Sequence, residues 1–219
     1  SFNQVINGLE NYEGYLESSW FAGLAYIYNS QTVEINDIYE IYTTSPYWSP
    51  FPRSPMVMDM NFMNENYIII NNHLKCCGDG FLDQNNENDE ENRRLQAIVL
   101  LDEYISEHFS QKNVILVGDL NDILTDSQEN NIFNIFFNQP EKFSFVDFDI
   151  ALGPVENWSY PSWPSHIDHI LISNELFDVY NQSGSVKTLN IEDNFQTGMN
   201  AYSNYLSDHR PIQLKLIFQ

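Results

Sequence analysis

The sequence is poor in basic residues and in cysteine, and it has no long uninterrupted hydrophobic run. Lysine and arginine number 9 against 31 acidic residues, which gives a formal net charge of -22. This charge disfavours passive electrostatic binding to nucleic acid or to an anionic membrane, although divalent cations can bridge an acidic protein to a polyanionic substrate. Cys76 and Cys77 are adjacent, so no disulfide framework is expected.

No transmembrane segment, internal repeat or interdomain linker is visible either. A hydrophobic content of 42% with 15% aromatic residues is sufficient for a packed core, and 219 residues suit one domain spanning 1–219. Ser1 follows neither a signal peptide nor an initiator methionine. We therefore expect a processed product or an excised piece.

The most informative stretch is Val114–Asp122, where four apolar residues precede a glycine and then polar side chains. Such a run predicts a strand buried on both faces, and Gly118 allows the backbone to bend where the strand stops. Asp119 and Asn121 would point the same way if the extended conformation persists. A carboxylate and a carboxamide at a sheet edge suit a phosphate and a metal, and an ordinary Asp/Asn turn is the alternative.

Other segments predict further strands and one strong helix. Apolar residues at spacings of three and four predict a helix over 95–109, with acidic residues near its start as the helix dipole favours. Residues 123–138 are a weaker helical candidate. Strands are predicted at Leu24–Tyr28, Val33–Thr43, Met56–Phe62, Tyr67–Ile70, His169–Ile172 and Ile212–Phe218. Loops are predicted at Ser45–Pro55, Gly78–Asn92 and Phe143–Pro164, and the whole pattern indicates an α/β or α+β sandwich.

Polar clusters lie at one end of several of these strands. They are Asn72-His73, Asp119 with Asn121, Ser165–His169 and Ser207–Pro211. Antiparallel neighbours bring the start of one strand to the end of the next, so these clusters are expected at one sheet edge. Four of the 5 histidines fall in them, and His108 is expected on the surface of the helix.

Four short motifs follow one another along the chain: Asn72-His73, Gly118–Asn121, Ile167–His169 and Ser207–Pro211. In this order they resemble the motifs of the endonuclease/exonuclease/phosphatase superfamily, the deoxyribonuclease-like metal-dependent phosphoesterases. The resemblance implies an α/β (α+β) fold, a four-layered sandwich of two packed, mostly antiparallel sheets flanked by helices. It also implies hydrolysis of phosphate esters with Mg²⁺, or with Mn²⁺ or Ca²⁺.

The resemblance assigns roles to single residues. Asp119 would orient or deprotonate the attacking water, and Asn121 would fix that geometry. His209 would contact the scissile phosphate. Asp168 would orient a histidine through a carboxylate–imidazole pair, and either His209 or His73 is the partner.

Two further roles follow from the same motifs. Asp208 would be an oxygen ligand of the metal, and Arg53 would contact the substrate phosphate. His166 and His169 flank the motif aspartate and receive no role, and one of them could be a surface residue. The adjacent cysteines lack the second pair that a zinc site needs. The acidic stretch Asp83–Glu91 lacks the glycine-marked spacing of a calcium loop and is expected to be a solvated loop.

The sequence departs from the family at its beginning. Leu24–Tyr28 resembles the strand that follows the family's metal-binding glutamate, and residues 1–20 offer no pattern for the strands before it. We expect a chain that lacks these N-terminal strands, with exposed sheet edges through which it could associate. The alternatives are that another chain supplies the missing part, or that metal binding has been lost.

The expected function is a nuclease-type phosphodiesterase that acts on nucleic acid. The alternatives are a non-catalytic or metal-deficient binding domain, and a phosphoesterase directed at phosphoinositides or sphingomyelin. The segments 45–55 and 157–165 are expected to shape the pocket. The tryptophans Trp158 and Trp163 are expected to be packing residues, although they could line the site.

Overall fold

The computed structural model describes residues 2–17 and 23–218. The strands are β1 (Tyr12–Leu16), β2 (Ala25–Asn29), β3 (Glu34–Glu40), β4 (Met56–Phe62), β5 (Glu65–His73), β6 (Asn113–Asp119), β7 (Phe143–Phe145), β8 (Asp168–Ser173), β9 (Ser185–Thr188) and β10 (Ile212–Lys215). The α-helices are α1 (Phe2–Asn7), α2 (Glu90–His108), α3 (Asn134–Phe137), α4 (Phe148–Ala151), α5 (Phe177–Ser183) and α6 (Met199–Tyr205).

Six strands form the central sheet in the order β3-β4-β5-β6-β8-β7. Strands β5 and β6 are parallel, and the other neighbours in this sheet are antiparallel. A parallel pair needs a crossover, which α2 supplies between β5 and β6. The prediction of mostly antiparallel sheets with one strand–helix–strand unit is therefore confirmed.

One face of the central sheet packs against α2. The apolar stripe of this helix, including Ile98, Leu101 and Ile105, is buried in the same cluster as side chains from β4, β5 and β6. The helix begins where Asp89 accepts a hydrogen bond from the backbone N–H of Asn92, which satisfies one of the free amides of the first turn. The stripe predicted from spacing is the buried face.

The other face packs against two smaller sheets, β1–β2 and β9–β10. Tyr26 of β2 is buried with Met56 and Met58, and β10 packs its apolar residues beside β8. On the outer side of β1, a Cβ on Gly14 would lie 2.6 Å from the Phe2 ring, so α1 packs closely there. Helix, sheet, sheet and helix give the layered α/β sandwich that the sequence predicted.

Some local predictions were wrong in extent. Residues 2–17 contain a helix and a strand where no pattern was recognised, and the helix proposed over 123–138 is limited to α3. The residues 18–20 of that first segment, and Ser1, lie outside the described residues. Within the described part of the chain, no helix is long and apolar enough to cross a membrane. Association through sheet edges stays a prediction.

Candidate functional site

Gly118 determines how β6 ends. Its φ is +136°, a conformation that side chains with a Cβ rarely adopt. A Cβ at this position would lie 1.9 Å from the carbonyl oxygen of Asn72 on the neighbouring parallel strand. Only glycine therefore allows the two strands to approach here, and the bend directs Asp119 to the edge of the sheet.

The strand register places three of the predicted site residues next to one another. His73 ends β5, Asp119 ends β6, and Asp168 begins β8. His73 is paired with Asp119 across the parallel ladder, and Asp119 is paired with Asp168 across the antiparallel one. Nε2 of His73 lies 3.4 Å from Oδ2 of Asp119. The expected meeting of strand ends and starts at one edge is confirmed.

His209 completes this cluster from the segment between α6 and β10. Its Nδ1 lies 2.7 Å from Oδ2 of Asp168, so His209 rather than His73 is the imidazole that contacts this carboxylate. Its Nε2 lies 4.0 Å from Oδ2 of Asp119. The ring of Tyr160 covers His209, with the ring centroids 4.7 Å apart and the planes 30° apart. Sequence reasoning assigned no role to Tyr160, which lies in an irregular segment without a recognisable pattern.

The site holds its titratable groups away from their ordinary pKa values. Burial, followed by the negative charge of Asp168, raises the pKa of Asp119 to about 6. Burial, followed by the positive charges of Arg53 and His209, lowers the pKa of His73 to about 4. Near neutral pH, Asp119 is therefore a carboxylate beside a neutral His73.

His209 has the opposite tendency. Burial lowers its pKa, but the hydrogen bond to Asp168 and the nearby carboxylates outweigh burial, so the net pKa is raised. Because Asp168 accepts from Nδ1, the exchangeable proton of His209 is the one on Nε2, which faces Asp119. The site thus combines a basic carboxylate with a protonatable imidazole.

Asn121 is held in place by its own backbone. Its φ is +55°, and its N–H donates to Oδ1 of Asp119 at 3.0 Å. Its side-chain amide donates to the carbonyl oxygen of Leu74 at 3.3 Å. The Asp/Asn turn that was the alternative interpretation of this stretch is therefore present, and it orients both polar side chains.

The remaining predicted residues lie around this centre. Arg53 is half-buried and close enough for its charge to depress the pKa of His73. Asp208 is exposed, and its charge contributes to raising the pKa of His209. His108 is exposed at the end of α2, as expected. The thiols of Cys76 and Cys77 are exposed and free.

The two histidines that flank Asp168 are both buried, which rules out a surface position for either of them. His166 is 2% exposed and His169 is 1% exposed. Nε2 of His166 and Nδ1 of His169 both contact Oδ2 of Asp147, at 2.9 and 2.7 Å. Nε2 of His169 contacts the carbonyl oxygen of Asp122 at 2.8 Å. Both nitrogens of His169 therefore face acceptors, so this ring is a buried imidazolium paired with Asp147.

The donor set of the centre fits a hard divalent cation. Asp119, Asp168 and His209 each offer one ligand atom, and these atoms lie within 4.8 Å of one another. Carboxylate oxygens are the ligands that Mg²⁺ and Ca²⁺ prefer, and a cation would offset both the burial and the Asp168 repulsion that raise the pKa of Asp119. Among the described residues, no glutamate joins this cluster.

A cavity of about 330 Å³ adjoins the centre at Asn121 and Ile167. Trp158 and the 78% exposed Trp163 line it, together with the carboxylates of Glu91, Asp122 and Asp126. Trp158 is half-buried and donates from Nε1 to the carbonyl oxygen of Ile150. One of the two segments expected to shape the pocket, 157–165, therefore borders this cavity.

The fold is thus a layered α/β sandwich with a carboxylate–imidazole cluster at one edge of its central sheet. The chain belongs to the Endonuclease/Exonuclease/phosphatase family, whose model matches residues 17–209. Members of this family are hydrolytic phosphoesterases and are generally dependent on divalent metals. Comparison with curated protein sequences gives no match.

Solved structures of the family share the fold at low sequence identity. TDP2 from D. rerio, solved with a single-strand DNA product, is 14% identical, with a TM-score of 0.68 over 96% of this chain and 79% of its own. The human nocturnin catalytic domain is 13% identical, with a TM-score of 0.61 over 98% and 76%. A mannosyl-6-phosphatase from Bacteroides thetaiotaomicron is 16% identical, with a TM-score of 0.58 over 99% and 80%.

Proposed function

We propose that this protein is a divalent-metal-dependent phosphodiesterase of the nuclease type. The observation that carries the proposal is the contact of His209 with Asp168, 2.7 Å apart, beside the in-register pair of Asp119 and His73. Hydrolysis of a phosphodiester needs an aligned water, charge stabilisation at phosphorus and a proton for the leaving alkoxide. The cluster contains a group suited to each need.

In this proposal Asp119 orients or deprotonates the attacking water, because its carboxylate is basic for an aspartate. Asn121 holds the turn that fixes this carboxylate. His209, aligned by Asp168, presents Nε2 to the phosphate and carries a proton that can stabilise an oxygen or protonate the leaving group. His73 stays neutral beside Asp119.

The metal would be held by Asp208 together with the carboxylates of the centre. When bound, a divalent cation neutralises charge on the phosphorus oxygens. Arg53, whose positive charge reaches the site, is assigned to the substrate phosphate. The structure of TDP2 with a DNA product supports nucleic acid as the substrate class.

The direct test is cleavage of plasmid DNA with Mg²⁺ by the wild type and by Asp119→Ala and His209→Ala. We expect each substitution to reduce the rate by at least about 100-fold, as general acid–base groups typically contribute. His108→Ala, an exposed histidine on α2, is the matched control and should retain full activity. Unchanged activity in both site variants would refute the residue assignment.

A second candidate is hydrolysis of a phosphate ester with an uncharged leaving group. The cavity beside Asn121 is lined by the carboxylates of Glu91, Asp122 and Asp126, which disfavour a polyanion, and by two tryptophans, which can pack on an apolar or sugar surface. The same variants should be assayed on sphingomyelin and sugar phosphates, whose alcohol portions are uncharged, and on phosphoinositides as the highly charged comparison. Activity on one of these and not on DNA would favour this candidate.

A non-catalytic binding domain is the remaining alternative. Inactivity on all of these substrates together would support it. Calorimetric titration with Mg²⁺, Mn²⁺ and Ca²⁺ separates the two cases, because binding that is lost on Asp208→Asn argues for the metal-dependent enzyme.

A further inference from the structure

The loop that connects β5 to α2 brings three acidic side chains together beside Arg94. Asp79 lies in the loop, and Asp89 and Glu91 lie at the start of α2. One carboxylate oxygen from each residue lies within 4.8 Å of the other two. Asp79 is exposed, Asp89 is half-buried, and Glu91 is 2% exposed. The cluster therefore runs from the protein surface to a buried base.

The hydrogen bonds to these carboxylates leave one oxygen of each residue free of described donors. Oδ1 of Asp79 accepts from the backbone N–H of Phe81 at 3.0 Å. Oδ1 of Asp89 accepts from the backbone N–H groups of Asn92 and Asp83, at 2.8 and 3.3 Å. Oε1 of Glu91 accepts from the backbone N–H of Gly80 at 2.7 Å. The guanidinium of Arg94 also contacts Oε1 of Glu91, at 3.2 Å. The loop backbone thus orients the carboxylates and uses the same oxygen in each.

Oε2 of Glu91 is the observation that points to a ligand. This oxygen is buried, inaccessible to water, and has no hydrogen-bond partner. A buried carboxylate oxygen without a donor carries a large desolvation penalty, so such atoms are normally paired or coordinate a metal. Gly78 packs directly on this carboxylate, since a Cβ there would lie 2.6 Å from Oε2, and no side-chain donor can approach from that side.

The charge balance indicates that the missing partner is a cation. The cluster holds three carboxylates, and the guanidinium of Arg94 is shared with Asp122, whose Oδ2 accepts from Nε at 2.9 Å. One guanidinium shared between Glu91 and Asp122 leaves the cluster with net negative charge, which a bound cation would balance. All three candidate ligands are oxygens, whereas zinc prefers nitrogen and sulfur ligands, so zinc fits this cluster poorly.

We propose that Asp79, Asp89 and Glu91 form a calcium site that is separate from the catalytic centre. Calcium fits better than magnesium because Ca²⁺ accepts six to eight oxygen ligands in irregular geometry. Here three carboxylates are fixed by the loop, and the exposed side at Asp79 leaves room for water ligands. The site joins the loop to the first turn of α2.

The site is connected to the catalytic turn through Arg94. Its guanidinium donates to the carbonyl oxygens of Lys75 and Cys77 and to Asp122, which directly follows Asn121. Calcium bound at Glu91 would share with Arg94 the neutralisation of this carboxylate. It would also hold the loop against Glu91. The inference does not depend on the proposed hydrolase activity.

The experiment is calorimetric titration of the full chain with CaCl₂ in an Asp119→Asn background, which weakens the catalytic cluster. We expect Asp79→Asn to weaken calcium binding at least about tenfold, because even loss of a residue that only supports a metal ligand typically costs about 10- to 100-fold. Asp83→Asn removes an exposed carboxylate from the same loop and is the matched control, expected to leave the affinity unchanged. Because Asp79 is exposed, its substitution should not prevent folding.

Two further measurements, proteolysis of the loop and the relative affinity for magnesium, test the calcium site. Calcium should slow cleavage by a glutamate-specific protease after Glu87, an exposed loop residue, in the background protein and not in Asp79→Asn. Magnesium should bind more weakly than calcium. Equal calcium affinity in Asp79→Asn and Asp83→Asn, or tighter binding of magnesium, would overturn the calcium assignment, while activity assays on Asp119 and His209 variants would be unaffected by that outcome.

Discussion

Asp147 is the residue whose replacement should test the buried support of the site most sharply. Its side chain is 0% exposed, and its two oxygens have separate tasks. Oδ2 accepts from both His166 and His169, and Oδ1 accepts from the backbone N–H of Ile170 at 2.8 Å. Asparagine has the same shape but no charge and only one acceptor oxygen, so Asp147→Asn removes the partner of the His169 imidazolium and either sets an N–H against another donor or forces a histidine to lose its proton.

The cost follows from this geometry. Breaking a buried ion pair by removing one partner typically costs about 3–5 kcal/mol, because the remaining charge is left uncompensated. A domain has roughly 5–15 kcal/mol of stability in total. For a chain of this size each kcal/mol shifts Tm by about 2–4 °C, so the expected loss is roughly 6–20 °C.

The measurement is urea and thermal unfolding of Asp147→Asn against Asp149→Asn. Asp149 is exposed and lies in α4, which Asp147 directly precedes, so its replacement should change stability by less than about 0.5 kcal/mol. Asp147→Asn should also lower catalytic activity, because His169 holds the carbonyl of Asp122 beside the catalytic turn. Equal stabilities of the two variants would refute the buried imidazolium–carboxylate pair.

The pair also predicts the pH dependence of stability. Burial raises the pKa of Asp147, but the charge of His169 and the two imidazole hydrogen bonds lower it to about 2. Since the folded pKa lies below the ordinary value of 3.8, the contribution of Asp147 is present above that value and is lost as pH falls towards 2. Burial lowers the pKa of His169, but the charge and hydrogen bond of Asp147 raise it by more, so the folded pKa lies above the ordinary value of 6.5. The stability that His169 contributes is therefore present at low pH and is lost as pH rises through the folded pKa.

Three further predictions concern the site itself. Gly118→Ala should lower the free energy of unfolding in urea by more than about 2 kcal/mol, because the added Cβ meets the carbonyl oxygen of Asn72. Gly80→Ala is also at positive φ but has nothing within 4 Å, so it should lower the free energy of unfolding by only about 1 kcal/mol. Comparable costs would contradict the steric account. Because burial and the charge of Asp168 raise the pKa of Asp119 to about 6 in the absence of metal, the Asp119 carboxyl resonance should titrate near 6 in an NMR pH titration of the metal-free protein, and titration near 4 would argue against a buried, basic Asp119. Asp168→Asn should lower the pKa of His209, followed by NMR of the imidazole, with the exposed Asp178→Asn as control, and an unchanged value would mean that Asp168 does not tune this histidine.

Much of the central sheet could be predicted from local patterns. The apolar run that became β8 is buried on both faces, those of β5 and β6 are buried on one face and half-buried on the other, and the spacing of three and four in α2 marks its buried side. Residues 2–17 were missed because their strand β1 is largely exposed and has no alternating burial. The helix predicted over 123–138 reduces to α3 because side-chain and turn contacts satisfy that backbone instead.

The sequence by itself determined which residues could carry the chemistry. The order of short polar motifs at strand ends was sufficient for the family, and it placed Asp119, Asn121, Asp168 and His209 together without coordinates. Strand ends and starts converge wherever neighbouring strands are antiparallel, so that conclusion needed only the order of elements.

Tertiary structure alone decided which groups contact one another. His209 rather than His73 meets Asp168, His166 and His169 are buried against Asp147, and Asp79 lies beside Glu91. Each of these contacts joins segments that are separated along the chain, and none leaves a periodic signal. Hydrogen bonds, burial and charge pairing depend on distances in space, which local sequence spacing does not encode.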